Sequence, residues 1–213
     1  MKTEKRLTKH QLKSAATRTA LLQAAEEVFA RDGYEGAQIE EIAHRSGRTR
    51  GAVYAQYKTK EELFFAVQEQ QIEHSKKDFE TLIEEAGPNL EHRLLALQRY
   101  YARTDAKQWA ILDLELKLYA LRHPESVEEW RNRYTRSYDI DSSTRDFPLS
   151  QDRSHLESRL LALTAAKTGV LLTMQFLPHH LTMKETEQFL GEIFKGIFPE
   201  TTSEPKLEIE DGD

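Results

Sequence analysis

Apolar residues recur at three- and four-residue spacing along most of the chain, and strand-like alternation is almost absent. The pattern predicts an all-α protein. A first helix is expected from about Ala16 to Asp32, with Leu21, Leu22, Ala25, Val28 and Phe29 on one face and Gly33 as its stop. A short helix, Ile39 to Ser46, ends at Gly47, and Thr49 can cap a third from Arg50 to about Gln56. A fourth starts at Lys60 behind a Thr59 cap, with Glu61 and Glu62 at the positive end of its dipole. It continues to about Glu85, sparse in apolar residues midway, as suits a connector packed on one side.

Beyond Ala86-Gly87-Pro88 the helical period resumes over Leu90 to Arg103 and Lys107 to Arg122. The second of these carries apolar residues all round and is expected to be central and buried. His123-Pro124 breaks it. Glu125 to Tyr138 reads as amphipathic, with Val127, Trp130 and Tyr134, and Asp139 to Arg153 as a polar loop. Two long patterns follow, Ser154 to Leu177 and Met183 to Phe198, making about nine helices. The organisation expected is a flexible basic arm (1–13), a three-helix head (14–60), a larger helical body (61–199) and an acidic disordered tail (200–213).

Charge sharpens this division. The 213 residues sum to −6, but residues 1–60 carry +5 and residues 61–213 carry −11. A basic end on an acidic body points to one module that faces a polyanion. The chain has no cysteine, which excludes disulfides, thiolate catalysis and Cys-ligated metal. No apolar run is long enough to span a membrane and no secretory leader is evident, so a cytoplasmic location is expected.

The short second and third helices, joined through Gly47, have the outline of a helix-turn-helix. In that motif the second helix protrudes into a major groove ~12 Å wide while the first crosses the backbone. Ile39, Ile42 and Ala43 would face the core from one helix, and Ala52, Val53 and Tyr57 from the other. Gly51 and Ala52 keep the protruding face slim, and Arg48, Arg50, Gln56, Lys58 and Lys60 surround it with donors. Pattern alone also permits a small helical hairpin with no role in DNA binding.

The stretch Thr17 to Val67, TRTALLQAAEEVFARDGYEGAQIEEIAHRSGRTRGAVYAQYKTKEELFFAV, resembles the N-terminal domain of the tetracycline-repressor (TetR) family of bacterial transcriptional regulators. The matching residues are Ala24, Ala25, Phe29, Gly33-Tyr34, Ile42-Ala43, Gly47, Gly51, Tyr54, Tyr57, Lys60 and Leu63. Two positions depart from the family pattern. Ala37-Gln38 lacks the usual Ser or Thr cap. Arg48 stands where a small apolar residue is usual, and is expected to turn outward to phosphate or to Glu40 or Glu41.

The resemblance implies a homodimer that binds a double-stranded DNA operator with Arg48, Thr49, Arg50, Gly51, Ala52, Tyr54, Gln56, Lys58 and Lys60. Arg50, Gly51 and Ala52 would face base edges; Tyr54, Gln56 and Lys60 would contact phosphate; Val53 and Tyr57 are better read as core. The basic arm either enters a minor groove or stays solvated. The segment Leu114 to Glu125, LELKLYALRHPE, resembles a recurring sixth-helix stretch of the family more weakly. The last two helices fit its dimerisation pair, with Leu161, Ala165, Gly169, Leu172 and Phe176 in the interface. A small-molecule effector, apolar or aromatic, is implied for the body; Tyr101, Trp109, Tyr119, Trp130, Tyr134 and Phe176 are the candidate contacts, each also a natural core residue. The expected outcome is a repressor released by its effector, without cofactor, metal or catalytic residues.

An enzyme is the alternative from another class. A di-metal bundle needs an acid-x-x-His pair on each of two helices, and the only Glu-x-x-His is Glu41 to His44, inside the helix-turn-helix. No phosphate loop, dinucleotide fingerprint or nucleophile elbow is present. A helical adaptor that binds only protein is the second alternative.

Overall fold

In the computed structural model, residues 9–103, 107–126, 128, 130, 153–177 and 179–198 are described. Eight helices have defined bounds: α1 (Lys9–Gly36), α2 (Ile39–Arg45), α3 (Arg50–Gln56), α4 (Lys60–Ala86), α5 (Leu90–Ala102), α6 (Lys107–Arg122), α7 (Arg153–Phe176) and α8 (Met183–Ile197). Residues 1–8 of the expected arm, Val127, Tyr134, most of the expected polar loop and the acidic tail lie outside the described residues.

The chain divides into two compact units, one of residues 1–73 with 111–138 and one of residues 74–110 with 139–213. In the first, α1 begins at Lys9, so residues 9–13, expected in the flexible arm, are helical. The reason is local: no Gly or Pro stands between Lys9 and Asp32, and Ala15-Ala16 favour helix. Gly33 breaks α1 with φ +72 and ψ 173, and a further turn ends at Gly36. Leu21, Ala25, Val28 and Phe29 are fully buried against Ile42, Val53, Leu63, Phe64 and Val67. Helix α6 supplies Leu112, Leu116 and Tyr119 to the same core. It is not buried all round as its sequence predicts, since Leu121 is 81% exposed.

The turn from α2 to α3 is closed by backbone. Gly47 adopts φ +66; its N–H donates to the His44 carbonyl (3.0 Å) and the Arg48 N–H to the Ala43 carbonyl (2.8 Å). That pair of bonds satisfies the last carbonyls of α2 and needs a left-handed residue at position 47. In the second unit α8 packs on α5 and α7. Leu94, Leu97, Leu163, Phe194 and Phe198 form its core, with Phe79, Leu82 and Ile83 of α4 against it. A capping box starts α8: the Glu185 N–H donates to Thr182 Oγ1 (3.2 Å) and the Thr182 N–H to the Glu185 carboxylate (2.8 Å). Arg159 donates from Nε to the Ile197 carbonyl (2.6 Å) at the negative end of α8. Among the described residues no helix is long and apolar enough to cross a membrane.

Gly33 and Gly47 both require left-handed backbone, but they differ in surroundings. A Cβ at Gly33 would lie 3.0 Å from a carboxylate oxygen of Glu115; at Gly47 it would meet nothing within 4 Å. Gly47→Ala is therefore expected to cost ~1–2 kcal/mol of unfolding free energy from backbone strain alone. Gly33→Ala should cost more, because Glu115 must also move. Urea denaturation of the two variants checks the order.

Candidate nucleic-acid interface

Helix α3 is rooted by its inner face and free on its outer one. Val53 and Tyr57 are 1% and 5% exposed, which makes both core residues, as their spacing predicts. The Tyr57 hydroxyl is buried without a hydrogen-bond partner; burial raises its pKa above the ordinary phenol value, and the nearby Arg18 charge opposes this. Thr49 caps α3 as expected: its Oγ1 accepts from the Ala52 N–H at 3.2 Å. Gln38 begins α2 without a side-chain cap, again as its identity predicts. Arg48, Thr49, Arg50, Gly51, Tyr54, Gln56 and Lys58 are exposed, and Ala52 is half-buried. A Cβ at Gly51 would meet only Thr49 Oγ1 within 4 Å, at 3.9 Å.

The charges are arranged less simply than their number implies. Glu41 is 2.8 Å from Arg31 and 2.9 Å from Arg45, and Arg45 also reaches Glu27 at 3.3 Å. Arg31 pairs with Asp32 at 2.6 Å. Hydrogen bonds from Arg45 and then Arg31 hold the Glu41 carboxyl below the usual carboxylate range. Two arginines of the head are therefore engaged by acids on its surface. Among the described residues no group of three or more His, Asp or Glu side chains is placed to hold a metal ion.

Arg48 does turn outward, as expected of it. The acid at Glu40, however, is taken by Arg50, whose Nη1 lies 2.5 Å from its Oε1. The Arg50 guanidinium also sits 5.5 Å from the centre of the Tyr54 ring.

Lys60 is half-buried and engaged within the head. Its Nζ donates to the Glu35 carbonyl (3.1 Å) and lies 4.8 Å from the centre of the Tyr34 ring. Partial burial lowers its ammonium's affinity for a proton, an effect the Glu35 charge opposes. The N-terminus of α4 is built as the Thr59 cap predicts: the Glu62 N–H donates to Thr59 Oγ1 (3.0 Å), and the Lys58 N–H to the Glu62 carboxylate (2.7 Å).

Behind this face stands a group that sequence spacing does not reveal. The Tyr34 N–H donates to Glu115 Oε2 at 2.9 Å, and the Tyr119 hydroxyl donates to Glu61. His123 stacks on Tyr119 with ring centres 4.5 Å apart and pairs with Glu35 at 3.2 Å. Burial first, then the Glu61 contact, raises the Tyr119 phenol well above its ordinary range, so it stays protonated and donates. The partners lie 58 to 88 positions apart in the chain, beyond any local motif.

The expected effector contacts are divided between the two units. Tyr119 and Trp130 are 5% and 7% exposed in the core of the first unit, with Trp130 stacked on Phe65. Tyr101 and Trp109 belong to the second unit and are half-buried, Tyr101 next to Phe194. Phe176 is 82% exposed. Of the expected dimer residues, Leu161, Ala165, Gly169 and Phe176 are exposed on α7 and Leu172 is half-buried.

Residues 21–67 match the family model described as bacterial regulatory proteins, tetR family. The chain carries the N-terminal domain of that family. It is accordingly a DNA-binding transcriptional regulator with an N-terminal helix-turn-helix and a C-terminal helical domain. It is similar to the HTH-type transcriptional repressor AcnR of Corynebacterium efficiens, at 26% identity over 157 residues, covering 68% of this chain and 79% of that one. Its fold is that of a transcriptional regulator from Rhodococcus sp. Rha1 (TM-score 0.65, 22% identity, 88% of this chain and 99% of that one). The fold is shared too by FadR of Bacillus subtilis, solved in complex with stearoyl-CoA (TM-score 0.60, 17% identity, 84% and 97% of the two chains).

The inward Lys60 makes a separable prediction. Lys60→Met should lower unfolding free energy by ~0.5–1 kcal/mol through loss of its cation–π contact, together with the hydrogen bond to Glu35. A melt of the DNA-free protein that matches the unsubstituted chain would remove this structural role.

Proposed function

We propose that the chain is a repressor that binds a palindromic operator as a homodimer and leaves it when a small molecule binds the helical body. The observation that carries this is the presentation of α3. Its inner residues are locked in the core, while Arg50, Gly51 and Tyr54 lie exposed beside a capped N-terminus. Arg50 reads a guanine, Gly51 and Ala52 admit the groove wall closely, and Arg48, Gln56 and Lys58 reach phosphates. Lys60 contributes by holding Tyr34, and through the N-terminal amides of α4 that it helps to place.

The dimer face is the stripe Leu161, Ala165, Gly169, Leu172 and Phe176. These residues recur at helical spacing and leave large apolar side chains uncovered within this chain. Phe189 and Met183 of α8 are likewise exposed, and a Cβ at Gly169 would meet nothing within 4 Å. A second copy of the same face would bury them symmetrically. Phe176 therefore belongs with the dimer face, and Tyr101 and Trp109 remain the better candidates for effector contact. That FadR of Bacillus subtilis holds stearoyl-CoA supports a fold able to enclose an apolar effector. An effector that favours one disposition of the two heads changes operator affinity by the difference in its affinity for the two states.

Two measurements test this. Arg50→Ala should relax preference at one base pair of each half-site by ~1–3 kcal/mol, read by selection from randomised duplexes; an unchanged preferred sequence would remove Arg50 from base recognition. Ala165→Glu should place a charge in the apolar stripe and convert the dimer to monomer in sedimentation. A dimer that survives that substitution would locate the interface elsewhere.

A further inference from the structure

We infer that Glu40 is a positioning residue for sequence recognition: its carboxylate holds one nitrogen of the Arg50 guanidinium and leaves the opposite edge to meet a guanine. This rests on the DNA-binding reading of α3. Arg50 is the first residue of α3, and no acid lies in that helix's own first turn. A long side chain at such a place has many rotamers, and ordering it on the base costs entropy. Two contacts restrict it in the DNA-free protein: Glu40 Oε1 at 2.5 Å from Nη1, and the Tyr54 ring at 5.5 Å from the guanidinium carbon.

The two adjacent acids of α2 divide their work. Glu41 joins Arg31 and Arg45, while among the described residues the one ion pair of Glu40 is with Arg50. The side chains of Arg50 and Glu40 are 62% and 58% exposed. An exposed pair of this kind adds little to stability, so its consequence lies in geometry. Arginine recognises guanine O6 and N7 with two parallel N–H groups along one edge. With Nη1 held by Glu40, the edge formed by Nε and Nη2 is the one presented. The exposed carboxylate also sets a negative charge beside the N-terminus of α3, which disfavours non-specific docking on phosphate by like charge.

The experiment is selection of bound sequences from a randomised duplex pool by the full-length protein, Glu40→Ala, Glu40→Gln, Arg50→Ala and the Glu40→Ala/Arg50→Ala double variant. Thermal melts run alongside should coincide, since the pair is exposed. Discrimination at the base pair that Arg50→Ala affects should fall roughly fivefold or more in Glu40→Ala. Glu40→Gln should fall less, because its amide oxygen can still accept from Nη1. The double variant should match Arg50→Ala at that base pair, and binding to unrelated duplex should tighten when the acid is removed. Unchanged discrimination in both single Glu40 variants would overturn the inference while leaving the regulator reading intact. So would a change at a different base pair, which would make Glu40 a reader in its own right. If the unsubstituted protein selects no sequence and binds no duplex in a salt-dependent way, the parent reading fails instead.

Discussion

The first unit depends on how one helix ends. To turn toward α2 the chain must leave helical geometry at Gly33, with φ +72. That turn exposes the Tyr34 N–H, a donor that is costly to leave unpaired when water is excluded. Glu115 of α6 accepts from it at 2.9 Å, and can come so close because position 33 has no Cβ. With Tyr34 held, its ring packs on Phe64 and Tyr119, at 5.0 and 4.5 Å between ring centres, and Lys60 lies over its face. The helix end, the recognition module behind it and α6 are therefore parts of one packed unit rather than neighbours along the chain.

Electrostatics in the head is local as well. A count of +5 over residues 1–60 suggests a broad basic surface. In the folded head, Arg31 and Arg45 are engaged by Asp32, Glu41 and Glu27, and Lys60 turns inward. At and next to α3, Arg48 and Lys58 are exposed and Arg50 pairs with Glu40. The sum over residues 1–60 therefore says little about which cations stay unpaired on the surface.

Helices α6 and α7 show where periodicity stops being informative. Apolar residues encircle α6, yet Leu121 is exposed while Tyr119, three helical positions from Leu116 on the same side, is buried. On α7 the helical spacing of Leu161, Ala165, Gly169 and Phe176 does not mark an inner face, since all four are exposed within this chain. The aromatic residues grouped as effector contacts had no such common period. Tyr119 and Trp130 belong to one unit and Tyr101 to the other, a division set by long-range packing.

Local chemistry was within reach of the sequence. Helical period, the glycine stops at Gly33 and Gly47, the caps at Thr49 and Thr59, the weak start at Gln38 and the burial of Val53 and Tyr57 follow from residue types and spacings of a few positions. These are one-body or near-neighbour preferences, and they also carry the family motif. Which charge meets which acid was decided only in three dimensions. Glu40 could have received Arg48 or Arg50, and the turn geometry at Gly47 brought it Arg50. Glu115 and Tyr34 are 81 residues apart, and nothing local distinguishes Glu115 from other acids on an apolar helix. Such pairings arise because folding brings buried donors and exposed charges to whichever partner the packed helices place within reach, and that placement is a property of the whole core.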